Sequence, residues 1–193
     1  MASPIEIKGA IIQYAFIDRV NTVSKKFSFS ALIPWDENCP QCQAIINASN
    51  AEWAKVSAGA KKAQSMGYMI LAANDTAHIH PDVMKMLDPN RYYLQVRPVQ
   101  DENTTTPIAL YDTVPQLIGN RNIVGNGTIA NYKAVAYGYD SAGQKGVKYY
   151  AQWLQILNLV ENTNANTGPA AAATTGGYVA DAAALTPPPV MQQ

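Results

Sequence analysis

From Ala134 to Tyr139 this chain alternates small and large residues within a strand-like run that starts at Thr128, and a turn sequence and a second aromatic and aliphatic run follow. That pattern predicts a long antiparallel hairpin and so commits the C-terminal part to β structure. Successive side chains of a strand point to opposite faces, so Lys133, Val135, Tyr137 and Tyr139 share one side, and Tyr132, Ala134, Ala136 and Gly138 the other. One face is bulky and the other nearly bare. A face with a cation and two tyrosines suits a phosphate backbone and the π-surfaces of bases. The plainer alternative is that both tyrosines pack against neighbouring strands, as aromatics on pleated surfaces often do. Gly125-Asn126-Gly127 precedes the strand as a turn, and Asp140-Ser141-Ala142-Gly143 has the residues of a hairpin turn. In the partner strand, Val147 to Val160, Lys148, Tyr150 and Gln152 oppose Val147, Tyr149, Ala151 and Trp153. This predicts Tyr150 exposed and Trp153 buried.

The preceding sequence adds more strands. Residues 5–17 are rich in isoleucine and aromatic groups, and Lys25 to Trp35 alternates Phe27, Phe29, Ala31 and Ile33 with Lys26, Ser28, Ser30 and Leu32 before Pro34 stops it. Ser28 and Ser30 are therefore expected to face water or a ligand. Pro40 suits the first turn of a helix carrying Ile45, Ile46, Trp53 and Val56, expected to run to about Ala63 with Gly59 as a weak point. Residues 64–90 carry only a short helix, Pro81 to Leu87, ending before Asp88-Pro89. Arg91 to Val99 reads as a strand ended by Pro98, with Tyr92, Leu94 and Val96 opposite Tyr93, Gln95 and Arg97. Tyr93 and Arg97, an aromatic beside a cation, are the preferred solvent-side pair. Trp35, after a turn proline, is a further stacking candidate, whereas Trp53 belongs to the helix stripe. Residues 100–124 read as a loop with a short strand or turn. Strand, strand, inserted helix, strand and terminal hairpin describe a mainly β domain with inserted helices, best met by an OB-fold-like five-stranded barrel over residues 1–161. A β-sandwich is the other architecture of that order. Residues 162–193, rich in Asn, Thr, Gly, Ala and Pro, predict a disordered low-complexity tail.

Composition limits the functions available. With 14 basic and 14 acidic residues the net charge is zero, so attraction to a polyanion must rest on local charge such as Lys25-Lys26, or Lys133, Lys145 and Lys148. No apolar run is long enough to span a membrane, and Met1 to Glu6 lacks the regions of a secretory signal, which predicts a cytosolic protein without a membrane partner. Cys39 and Cys42 are the two cysteines, too few for a disulfide scaffold. Cys39-Pro40-Gln41-Cys42 at a helix start suits a redox dithiol, but the βαβ setting is missing. Both cysteines with His78 and His80 would make a zinc set, although His-x-His is unusual in structural sites. Ordinary helix-start residues are the preferred reading. His78 and His80 near Asp75 or Asp82 offer a general base, yet no Gly-x-Ser-x-Gly, phosphate-binding lysine loop or His-Glu-x-x-His accompanies them. No catalysis, cofactor or metal is expected.

Two blocks carry a family likeness. The first is Lys26-Phe27-Ser28-Phe29-Ser30-Ala31-Leu32-Ile33-Pro34 with Asp36 and a helix starting near Pro40. The second joins Pro115-Gln116-Leu117-Ile118-Gly119, Gly125-Asn126-Gly127-Thr128, the strand of Tyr137, Lys145-Gly146-Val147 and Leu154 to Glu161. Together they resemble the single-stranded DNA-binding proteins of tailed phages, typified by the gene 2.5 product of coliphages. The resemblance implies an OB-fold, single-stranded DNA as partner without strong sequence preference, and a role in replication and recombination in the cytoplasm of the infected bacterial host. It makes Tyr137 the stacking residue, with Tyr139 two positions on, and matches Lys25 and Lys26 loosely to basic residues before the second strand. Tyr150, Lys133 and Lys148 complete the expected surface, beside Tyr93 and Arg97. The family also implies a homodimer and phage replication proteins recruited by an acidic tail. Here the chain departs, because Asp181 is the sole charge after Glu161. A structural or assembly protein of a phage, with an OB-like barrel and no nucleic-acid binding, is the competing reading, and a metal-dependent enzyme a third.

Overall fold

The computed structural model describes residues 4–17, 26–60, 63–101, 107–119, 123–141 and 144–162. The strands are β1 (Pro4–Phe16), β2 (Ser28–Pro34), β3 (Tyr68–Ala72), β4 (Tyr92–Val96), β5 (Ala109–Tyr111), β6 (Thr128–Ser141) and β7 (Gln144–Asn158), and the helices are α1 (Pro40–Val56) and α2 (Pro81–Met84). The strands form one sheet in the order β3-β4-β2-β1-β6-β7-β5. Chain beyond β4 closes it into a barrel. Val99 bridges Ser28 antiparallel and Tyr150 parallel, and its N–H donates to Tyr149 O (2.9 Å) while its carbonyl accepts from Ala151 N (2.8 Å). On its other side Gln100 N donates to Phe27 O at 2.8 Å. The closed circuit is thus β1, β2, the segment around Val99, β7 and β6, the five-stranded barrel expected, while β3 and β5 are added at the ends of the sheet.

Alternation dictates what fills the barrel. Ile5, Ile7, Phe29, Ala31, Ile33, Tyr132, Ala134, Ala136, Tyr149, Leu154 and Ile156 belong to one buried cluster. Phe29 meets Tyr132 edge-on, with ring centroids 5.5 Å apart. Helix α1 packs on this cluster through Cys42, Ile45, Ala48, Ser49 and Glu52, spaced at helical intervals. The bare face of β6 makes room for it: a Cβ at Gly138 would lie 2.6 Å from Glu52 O. Gly138 N–H instead donates to the Glu52 carboxylate at 3.3 Å. Tyr149 Oη donates to Ile45 O at 2.8 Å and lies 2.8 Å from Ser49 Oγ. Burial pushes this phenol up to about 12 from 10.0. The helix ends at Val56, earlier than expected, because Ser57 caps it and Gly59 adopts a positive φ of 77°.

Several sequence expectations fail because the sheet is covered on two sides where only one was foreseen. Leu32, Leu71, Ala73, Ile79, Val83, Leu87 and Tyr93 form a second cluster under the 73–87 segment. Strand β2 is consequently buried on both faces, so Ser28 and Ser30 are not at the surface. Ser30 Oγ accepts from Arg97 Nε at 3.2 Å. Tyr93 is likewise buried, 4% exposed, and its hydroxyl accepts from Asp88 N at 2.9 Å. Its neighbour Tyr92 is the exposed one, at 58%. Buried Gln13 fastens this layer to the barrel, its amide donating to His78 O (2.9 Å) and accepting from His80 N (2.8 Å). Strand β3 had no sequence expectation at all. A further correction concerns β7: Lys133 pairs with Trp153 but Ala134 with Ala151, so Gln152 is an extra, bulged residue. Beyond it Leu154 and Ile156 point inward, and Trp153 is half-exposed rather than buried.

Candidate nucleic-acid interface

Four expected residues meet on the outer wall of the β6–β7 hairpin. Tyr137 pairs with Lys148 across the ladder, Val135 with Tyr150 and Tyr139 with Gly146. Alternation sends Tyr137, Tyr139, Lys148 and Tyr150 outward while Ala136, Val147 and Tyr149 fill the barrel. Lys148 Nζ lies 5.1 Å from the centre of the Tyr150 ring and 5.6 Å from those of Tyr137 and Tyr139. These are cation–π distances, each contact worth about 0.5–1 kcal/mol at an exposed site. The Tyr137 and Tyr150 rings are 5.6 Å apart and tilted by 47°. Tyr137 is 47% exposed, so much of its ring faces solvent.

The chain between α1 and β3 holds this array in place. Val147 N donates to Ser65 O, and Gln64 N to Lys145 O, both at 2.8 Å. Tyr139 Oη donates to Gln64 Oε1 at 3.2 Å. Only glycine fits at position 146, since a Cβ there would lie 2.7 Å from Tyr139 Oη and 2.8 Å from Ser65 O. Lys145 is bound to Asp140 at 2.9 Å and to Ala58 O at 2.8 Å. Its charge is engaged locally.

Beside the tyrosines, Lys148 and Arg97 line a cleft of about 290 Å³ together with His78, Tyr68 and Met69. Arg97 follows β4 directly, exposed, and its Nε is anchored on Ser30. His78 Nδ1 lies 3.0 Å from Asp75 Oδ1. That hydrogen bond is the main reason the Asp75 carboxyl sits below its ordinary value. No pattern in the sequence marks Tyr68, Met69 and His78 as neighbours of Lys148, because β3 and the second apolar layer bring them there.

The other expected residues are dispersed. Lys26 precedes β2, half-exposed, where Phe27 O accepts from Gln100 N, beside the segment that links β2 to β7. Lys25 lies outside the described residues. Lys133 is on the same face as Tyr137 but about 13 Å along the strand, opposite Trp153 on one side and Glu6 on the other. Tyr93 is excluded by its burial, as described above.

The cysteine and histidine pairs do not assemble a ligand set. Among the described residues no three His, Cys, Asp or Glu side chains gather as for a metal ion. Cys42 is fully buried with Sγ 3.5 Å from Pro34 O, and burial pushes its thiol up, away from the reactive thiolate. His80 Nδ1 accepts from Asp82 N at 3.2 Å, capping α2. No helix among the described residues is long and apolar enough to cross a membrane.

No family model matches the chain, and no curated protein does. Solved structures do match. The single-stranded DNA-binding protein of bacteriophage Enc34 is 12% identical, with a TM-score of 0.60 over 85% of this chain and 86% of that one. The same protein in complex with single-stranded DNA superposes at a TM-score of 0.59 and 12% identity, over 82% of this chain and 86% of that one. The gp2.5 single-stranded DNA-binding protein of bacteriophage T7 is 15% identical, with a TM-score of 0.54 over 94% of this chain and all of that one. At such identities the likeness is one of architecture: this chain has the fold of these phage single-stranded DNA-binding proteins.

Proposed function

We propose that this protein binds single-stranded DNA without strong sequence preference, in the replication and recombination of a phage genome in the host cytoplasm. The observation that carries this reading is the ammonium of Lys148 set among the rings of Tyr137, Tyr139 and Tyr150 on an outer barrel wall. Flat, sequence-tolerant surfaces beside a cation suit an unpaired strand, whose bases stack at about 1–3 kcal/mol each while the phosphates seek positive charge. The cleft beyond Lys148 adds Arg97, and Lys26 lies next to the Val99 segment that joins β2 to β7. In OB-folds oligonucleotides bind across the outer face of the second and third barrel strands and the hairpin loop between the last two; here Arg97 stands beside the third strand, and the tyrosines and Lys148 stand on the hairpin of the last two. The Enc34 protein of the same architecture has been seen with single-stranded DNA. In this role the chain catalyses no reaction; it holds exposed strands extended and free of hairpins.

Fluorescence anisotropy of labelled oligo-dT tests the reading. Tyr137→Ala is expected to weaken binding about tenfold, one stacked base, with an unchanged circular dichroism spectrum. Wild-type affinity in the folded variant removes Tyr137 from the mechanism. No binding of oligo-dT by the unaltered chain favours an assembly protein that carries the same barrel.

A further inference from the structure

The bulge at Gln152 gives β7 a second aromatic on its outer face. Trp153 stands beside β5, with Ala109 opposite it and Tyr111 opposite Gln155 in parallel register. Leu110 and Leu154 lie buried beneath, so Tyr111 and Trp153 rise from the same side. With Pro115 and Gln155 they line an open pocket of about 250 Å³. Its floor is fixed: Gln155 Nε2 donates to the carbonyls of Asp112 (3.2 Å) and Thr113 (3.4 Å), and Gln155 Oε1 accepts from Asn131 Nδ2 (3.2 Å).

Three properties point to one occupant. The walls are two aromatic rings and a proline ring, which suit a flat heterocycle. The volume of about 250 Å³ leaves room for a single small ring system between these walls. The pocket also continues the face that carries Tyr137, Lys148 and Tyr150, within about 10 Å of Tyr150 along β7, and Lys133 stands opposite Trp153 in the ladder. We infer that this pocket holds an unstacked nucleobase of the same single strand, with Trp153 and Tyr111 as its stacking walls and Lys133 contacting the backbone beside Trp153. The inference rests on the proposed single-stranded DNA binding. It also gives Lys133 a place that the tyrosine array alone does not.

The experiment uses the full chain with labelled oligo-dT, reading affinity by anisotropy and tryptophan emission in parallel. Trp35 and Trp53 pack against the core, so quenching on DNA addition is expected to come from Trp153. In Trp153→Phe the quenching disappears while affinity stays within about threefold, since a stacking ring remains. Trp153→Ala loses about tenfold. Should Trp153→Ala fail to fold, the Phe variant decides through the quenching. Unchanged quenching in Trp153→Phe, or wild-type affinity in folded Trp153→Ala while Tyr137→Ala binds weakly, overturns the second base site and leaves the proposed function standing. An unaltered chain that binds no oligo-dT overturns that function itself.

Discussion

Two adjacent tyrosines show how much a single residue's role depends on what covers it. Tyr92 and Tyr93 must point to opposite faces of β4, and the sequence makes that clear. Which face meets solvent is set by Leu71, Ile79, Val83 and Leu87, which arrive from other segments and bury Tyr93. The aromatic-beside-cation pattern of Tyr93 and Arg97 was therefore misleading for the tyrosine, although Arg97 itself remains exposed beside Lys148. Tyr93→Phe removes the acceptor of the Asp88 N–H at 2.9 Å. A loss of about 1 kcal/mol in denaturant unfolding is expected, with oligo-dT affinity unchanged. A large loss of DNA binding without loss of stability would return Tyr93 to the interface.

At the scale of elements, the hairpin is the most legible part of the chain. The alternation of Ala134 to Tyr139 states its period, and β6 and β7 pair as the predicted hairpin. Strand β3 was illegible because Tyr-Met-Ile-Leu-Ala has no alternation to distinguish it and gains its place only by pairing with β4. The bulge at Gln152 was hidden for a related reason: it exists in the register between two strands, not in either strand's own sequence. Hairpin and α1–β3 connection are coupled at Gly146, where a side chain would strike both Tyr139 Oη and Ser65 O. Gly146→Ala should cost about 1–3 kcal/mol of stability and, by displacing Tyr139, weaken oligo-dT binding. Unchanged stability and affinity would mean that the connection does not hold the array. The joint between α1 and β7 has its own signature. A phenol whose folded value is raised favours the folded state fully below its ordinary 10.0 and loses that contribution as pH rises toward about 12. Urea titrations across this window are expected to show stability falling with pH, with a smaller fall in Tyr149→Phe. An equal fall in both would assign the alkaline loss to other groups.

For the whole molecule, a neutral chain presents a local cationic face. Its 14 basic and 14 acidic residues balance, yet Lys145 is paired with Asp140 while Lys148 and Arg97 line one cleft beside the tyrosines. Composition alone gives no hint of this division, because it arises when Val99 joins β2 to β7 and brings the two regions onto one barrel wall. The central claim is that this wall binds an unpaired strand through stacking and phosphate contacts together. It is tested most directly by titrating labelled oligo-dT with the full chain at increasing salt. Contacts from Lys26, Arg97 and Lys148 predict saturable binding whose log affinity falls against log salt with a slope of about −2, at about −0.7 per phosphate contact. Binding that is absent, or present without dependence on salt, would contradict the account.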